Sequence, residues 1–160
     1  MSNLSNNFIA GDWVKGSSSI SNINPSNTND VIGEYAQASI AQLDDALNSA
    51  KMAQKQWAAT GLEQRQAVLM KIGEEMMARS AELGELLSRE EGKPVAEGKG
   101  EVYRAGQFFT YYAAEVLRQS GDTADSVRPN IEIDVRREAM GTVAIISPWN
   151  FPTATASWKI

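Results

Sequence analysis

The sequence predicts an α/β chain that is one part of a larger fold. Its elements are short β-hairpins, three helices, one half-exposed strand and the first buried strand of a parallel sheet. Three observations carry this expectation. The first forty residues pair short apolar runs across turn residues, and residues 39–121 place capping signals ahead of apolar stripes at helical spacing. After Asn130 the period drops to two, and Met140–Ile146 then runs almost wholly apolar and β-branched.

Each element follows from its residues. Phe8, Ile9, Trp13 and Val14 flank Ala10-Gly11-Asp12, where Gly11 can take the positive φ of a tight hairpin turn. A second extended pair, Ser19–Ile23 and Val31–Ala36, surrounds the turn residues Asn24-Pro25-Ser26-Asn27. Both hairpins read as a surface cap. Ser39 and Gln42 form a capping box for the first helix, whose stripe is Ile40, Leu43, Leu47, Ala50 and Trp57. Thr60 and Glu63 repeat the box for a second helix, which carries Val68, Leu69, Ile72, Met76, Leu83, Leu86 and Leu87 and stops at Gly92. Pro94 suits the first position of a third helix running through Val102, Ala105, Phe108, Phe109, Tyr112, Val116 and Leu117 to Gly121. Gly98, Gly100 and Gly106 weaken that helix unless another backbone packs closely, and its aromatic residues fall at packing rather than ligand spacing.

Ile131, Ile133 and Val135 alternate with charged residues, as in a strand with one wet face. The buried run ends at Ser147-Pro148, and Pro152 can begin another helix. A lone parallel strand cannot make a sheet, so its neighbours must come from outside this stretch. The expectation is an incomplete fold, with no linker and no internal repeat.

Composition narrows the chemistry. The 160 residues are 42% hydrophobic and 22% charged, with net charge −5 and scattered basic residues, which argues against nucleic acid or anionic lipid as partner. A polar start without a signal-peptide layout, and no apolar run of about 18–20 residues, lead to a cytoplasmic expectation with no membrane partner. Cysteine and histidine are both absent, which excludes disulfides, thiolate or imidazole metal sites and thiol nucleophiles within these residues.

Ligands of open α/β sheets bind beyond the carboxyl ends of strands. Ser147-Pro148-Trp149-Asn150-Phe151-Pro152 follows such an end: two prolines stiffen it, two aromatics can wall a pocket, and Asn150 supplies a neutral donor suited to an oxyanion. The ordinary alternative is a turn or N-cap asparagine. The mixed charges Glu90, Glu91, Lys93, Glu97, Lys99 and Glu101 read as a solvated face, and Lys159 as a surface lysine.

The stretch Gly141–Pro152 with Trp158-Lys159 resembles the aldehyde dehydrogenase superfamily, whose Pro-Trp-Asn-Phe-Pro core is highly specific. Phe8–Val14, Asn24-Pro25, Glu91-Gly92-Lys93-Pro94 and Arg137–Gly141 resemble further family segments. The likeness covers nearly the whole chain but only about the first third of a typical member. It is strongest toward dehydrogenases of 2,5-dioxopentanoate (α-ketoglutaric semialdehyde).

The resemblance implies NAD or NADP as cofactor and a cysteine thiolate that attacks the aldehyde, giving a thiohemiacetal oxyanion. Matched by motif, Asn150 is the oxyanion donor, and Ile146, Ser147, Pro148 and Trp149 line the cofactor. Phe151 walls the aldehyde tunnel, and Lys159 matches a lysine proposed to relay protons. The catalytic cysteine, general-base glutamate and Gly-rich cofactor turn have no counterpart here, so the chain alone is expected to be inactive. The implied division is 1–125 as hairpins and helices of the cofactor-binding domain, 126–140 as part of an oligomerisation arm, and 141–160 as the start of the nucleotide-binding sheet. A complete protein would be a homodimer or homotetramer. The alternative is non-catalytic: a truncated remnant, or a helical module docking on a full-length relative. The reading frame beyond Ile160 separates the two.

Overall fold

The structure, a computed structural model, describes residues 4–160. Strands β1 (Leu4–Ser5), β2 (Asn7–Ile9), β3 (Asp12–Val14), β4 (Ser18–Ile23) and β5 (Val31–Gln37) come first. Helices α1 (Ile40–Ala59), α2 (Leu62–Ala78), α3 (Ser80–Glu91) and α4 (Val95–Val116) follow. Strands β6 (Asp122–Asp125) and β7 (Glu132–Val135) and helix α5 (Pro152–Lys159) complete the order.

Both expected hairpins form. β2 and β3 pair antiparallel through Phe8 and Trp13, whose rings lie 5.1 Å apart. Ala10 and Gly11 take φ of 56° and 94°, as a two-residue turn matched to strand twist requires. β4 and β5 pair antiparallel, with a register shift between Asn22 and Ile23, and β1 adds to β5 in parallel. The Asn24 carboxamide closes the β4–β5 turn, accepting from the Ser26 N–H at 2.9 Å and donating to Asp30 at 3.0 Å. Arg89 of α3 grips Asp30 at 2.6 and 2.9 Å, fastening this hairpin to the helices. Hydrogen bonds from Arg89 and Asn24 hold the Asp30 carboxyl down to about 2.

The core lies where α2 and α3 cross α4. Its buried apolar side chains are Leu87, Val102, Ala105, Phe109 and Ala113, four of them on α4. Two glycine contacts set the spacing. A Cβ on Gly73 would lie 2.6 Å from the Gly106 carbonyl, and one on Gly98 would run into the Gly84 carbonyl. Backbones this close leave no room for a side chain, which is why α4 tolerates these two glycines. Gly100 has open space around it and serves no such contact.

Several expectations change at the level of elements. The capping box at Ser39 and Gln42 is present, but the stripe of α1 is not covered: the helix has no buried residue. Thr60 does not cap α2; it ends α1, its hydroxyl donating to the Trp57 carbonyl at 2.7 Å, and Gly61 takes the N-cap place without a side-chain bond. The single helix expected from Thr60 to Gly92 is two, broken at Arg79, so the three helices expected before Gly121 are four, and α5 begins at Pro152 as expected. The break hides within a continuous apolar period. Arg79 bridges it, with its guanidinium on Glu75 at 3.4 Å and Glu82 at 2.8 Å. The bend lets α2 and α3 each present their own glycine to α4. Gly92, at φ 84°, stops α3 as expected, while Pro94 is the N-cap of α4 and not its first residue. That helix ends at Val116, short of Gly121.

Among its aromatics, Phe109 is core, Phe108 stacks on Trp158 of α5 at 5.0 Å, and Tyr111 and Tyr112 stay largely exposed. The alternating strand is β7, and it pairs with β6, which the sequence reading did not anticipate. All eight of their residues are exposed. The largest correction concerns Met140–Ile146, which forms no strand, and residues 137–148 bury no side chain. Among the described residues no strand pairs with it, so the apolar run is left open. The expected absence of neighbouring strands thus removes the strand itself. No helix among the described residues is long and apolar enough to cross a membrane.

Candidate functional site

The turn from Ile146 to Phe151 enters α5, and Pro152 at its first position presets the helical φ. Phe151, as N-cap, gives no side-chain cap, so the first N–H groups of α5 need an outside acceptor. Glu101 of α4 provides it. One carboxylate oxygen accepts from the N–H groups of Thr153 and Ala154 at 3.0 and 3.1 Å. The other accepts from Lys93 at 2.6 Å. Only 1% of the Glu101 side chain is exposed. A buried carboxylate at a helix N-terminus also meets the positive end of the helix dipole.

Lys93 sits at the junction of α3 and α4. Its ammonium donates to Glu101 and to the backbone carbonyl of Asn150 at 2.9 Å, and it forms an ion pair with Glu91 at 3.0 Å. The ammonium also lies 4.4 Å from the centre of the Phe151 ring. Burial alone would lower the Lys93 pKa, but its hydrogen bonds to the Glu101 and Glu91 carboxylates outweigh it, and the net shift is upward. The lysine stays charged.

The expected site residues are contiguous, and the structure brings Lys159 to them: its ammonium donates to the Ile146 carbonyl at 3.2 Å. Ile146 and Trp149 project into solvent, 86% and 83% exposed, and Pro148, Asn150 and Phe151 are also open, with Ser147 half-buried. The Asn150 carbonyl is engaged, whereas its carboxamide makes no hydrogen bond among the described residues. It is neither the N-cap nor the donor closing the turn. Trp149 and Pro152 also border a recess of about 440 Å³ shared with Asn22, Leu87, Glu90 and Glu91.

Glu91, Lys93 and Glu101 are what the sequence reading missed. The mixed charge run reads as a solvated face, and Glu90, Glu97 and Lys99 are indeed exposed. A signal was available: Glu101 shares the stripe of Ala105, Phe109 and Ala113, so a carboxylate had to be buried or the stripe broken.

Comparison with known proteins bears on this geometry. The family model described as the aldehyde dehydrogenase family matches residues 13–160. The chain is 32% identical to the α-ketoglutarate semialdehyde dehydrogenase of Haloferax volcanii, over all of this chain and 34% of that protein. It is 34% identical to the α-ketoglutaric semialdehyde dehydrogenase of Bacillus subtilis, over 96% of this chain and 32% of that one. Among solved structures, an NADP-dependent enzyme of E. coli superposes with TM-score 0.90 at 30% identity, covering 96% of this chain and 32% of that chain. An NAD-dependent benzaldehyde dehydrogenase of Corynebacterium glutamicum gives 0.85 at 38% identity, covering 94% and 33%. The chain spans about a third of the length of these relatives. It belongs to the aldehyde dehydrogenase family.

Proposed function

We propose that this chain is the N-terminal part of an NAD(P)-dependent enzyme that oxidises an aldehyde to a carboxylate, with Asn150 as oxyanion donor. One observation carries the reading: the Asn150 backbone is held from a packed scaffold while its carboxamide stays uncommitted. A donor fixed before the substrate arrives helps a developing oxyanion more than a neutral aldehyde, and no reorganisation is needed when charge appears. The relatives that act on semialdehydes make a semialdehyde the favoured substrate class.

The residues present fit a nicotinamide dinucleotide. Ile146 and Trp149 offer broad apolar surface, and the backbone of 143–148 pairs with no strand among the described residues, its Ile146 carbonyl accepting from Lys159. Ile146, Ser147, Pro148 and Trp149 would hold it, and when bound it accepts the hydride. Phe151, set beneath Lys93, walls the aldehyde side. Lys159, beside the Ile146 carbonyl, can hold a proton at its Nζ. Residues 1–125 belong to the cofactor-binding domain, 126–140 to an oligomerisation arm and 141–160 to the nucleotide-binding sheet. The whole protein is a homodimer or homotetramer.

In the full-length protein carrying this segment, Asn150→Ala lowers kcat by about 10²–10³, the usual cost of one such donor. NAD(P)+ affinity changes little. Asn150→Asp is at least as damaging, because a carboxylate repels the oxyanion. Steady-state kinetics beside cofactor titration decides the matter; an unchanged rate makes Asn150 a turn residue only.

A further inference from the structure

We infer that Lys93 and Glu101 form a positioning strut that sets the Asn150 carboxamide, an inference that rests on the oxyanion reading above. The two residues hold the turn where it enters α5. Lys93 fixes the carbonyl of Asn150, and Glu101 fixes the N–H groups of Thr153 and Ala154 just beyond it. They are joined at 2.6 Å, so these two points of the backbone are held at one separation.

The strut is anchored in the best-packed part of the molecule. Glu101 is one turn from Ala105 and adjacent to Val102, both in the core. Lys93 follows Gly92, whose φ of 84° reverses the chain between α3 and α4. Its ammonium is held between two carboxylates and the Asn150 carbonyl, so leaving Asn150 gives up a charge-assisted bond in a largely buried site. These bonds are charge-assisted, hence shorter and stronger than neutral ones. The Asn150 carbonyl carbon and side chain share one Cα, so pinning the carbonyl and the N–H groups just after it fixes the backbone from which the carboxamide projects. Neither Lys93 nor Glu101 touches the reacting atoms: each acts through the backbone of the turn.

The test is a double-mutant cycle on the full-length protein. Glu101→Gln keeps the shape of the side chain and Lys93→Met removes the ammonium. Each is made alone and with Asn150→Ala. Losing either end of the strut lowers kcat by about 10- to 100-fold, the scale of a displacement near 1 Å at a reacting centre. In the Asn150→Ala background the same substitutions change kcat by no more than about twofold, because the group they position is gone. Equal losses in both backgrounds overturn the strut, since that pattern belongs to general damage, and so does a full rate in either single variant. If Asn150→Ala itself keeps the parental rate, the oxyanion reading is what fails, and the strut's role falls with it. Hydrogen exchange at Thr153 and Ala154 gives a readout apart from activity: both amides lose protection in Glu101→Ala, which leaves them no side-chain acceptor, and retained protection there contradicts the proposed anchorage. Should one variant fail to fold, the other carries the same cycle.

Discussion

Helix α4 buries seven residues along one face, whereas residues 137–148 bury none. Both segments have strong apolar patterns. The stripe of α4 finds α2 and α3 just before it in the chain, bent at Arg79 so that each reaches it. Val143, Ala144, Ile145 and Ile146 have no strand beside them among the described residues. An apolar run shows that a segment has to be covered; it does not show what covers it. The Ile146–Phe151 turn lies on the border of these two regions. Its far end is tied by Glu101 and Lys93 to the packed side, and its near end is open, which leaves Asn150 and Trp149 presented and not enclosed.

The largest effect that can break this contrast is catalytic. The 160-residue chain, which contains no cysteine, turns over no aldehyde with NAD+ or NADP+. Turnover by purified chain, free of host enzyme, would mean that an unrecognised group in the packed region performs the chemistry. Next comes stability. Gly106→Leu drives a side chain into the α2 backbone and costs about 1–3 kcal/mol or more, while Ile146→Ser stays within about 0.5 kcal/mol. Urea midpoints of the two variants give the comparison, and equal costs would erase the distinction between the regions.

The smallest effect concerns the Arg89–Asp30 clasp. The folded-state pKa of Asp30 is depressed to about 2 from an ordinary 3.8. Its contribution is therefore present above about pH 4 and fades as the pH falls through 2. Arg89→Gln is less stable than the parent at pH 7, and the two curves converge near pH 2. A gap that persists there assigns the clasp to packing. The pair is partly solvated, so the gap is small and shrinks with salt.

How much of this was legible follows the same division. Local chemistry was readable: the Gly11 turn, the Asn24 turn, the Ser39–Gln42 box and the Gly92 stop each depend on residues within a few positions. The break at Arg79 was not, because neither glycine nor proline marks it and the apolar period runs straight across. The strand expected at Met140–Ile146 is not formed, since pairing depends on partners outside it. At the site, the Pro148-Trp149-Asn150-Phe151 turn stood out by motif. Lys93 and Glu101 did not, since they join Asn150 and Ala154 from more than fifty positions away.

Hydrogen exchange on the dilute 160-residue chain tests the central contrast most directly, because it reads both regions in one sample. The account predicts that amides of Val102, Ala105, Phe109 and Ala113 exchange at least about a hundredfold more slowly than those of Val143–Ile146, which exchange near the rate of an unstructured peptide. Comparable protection in the two segments would contradict it, by showing either that α4 is not a stable scaffold or that the open run has found a sheet.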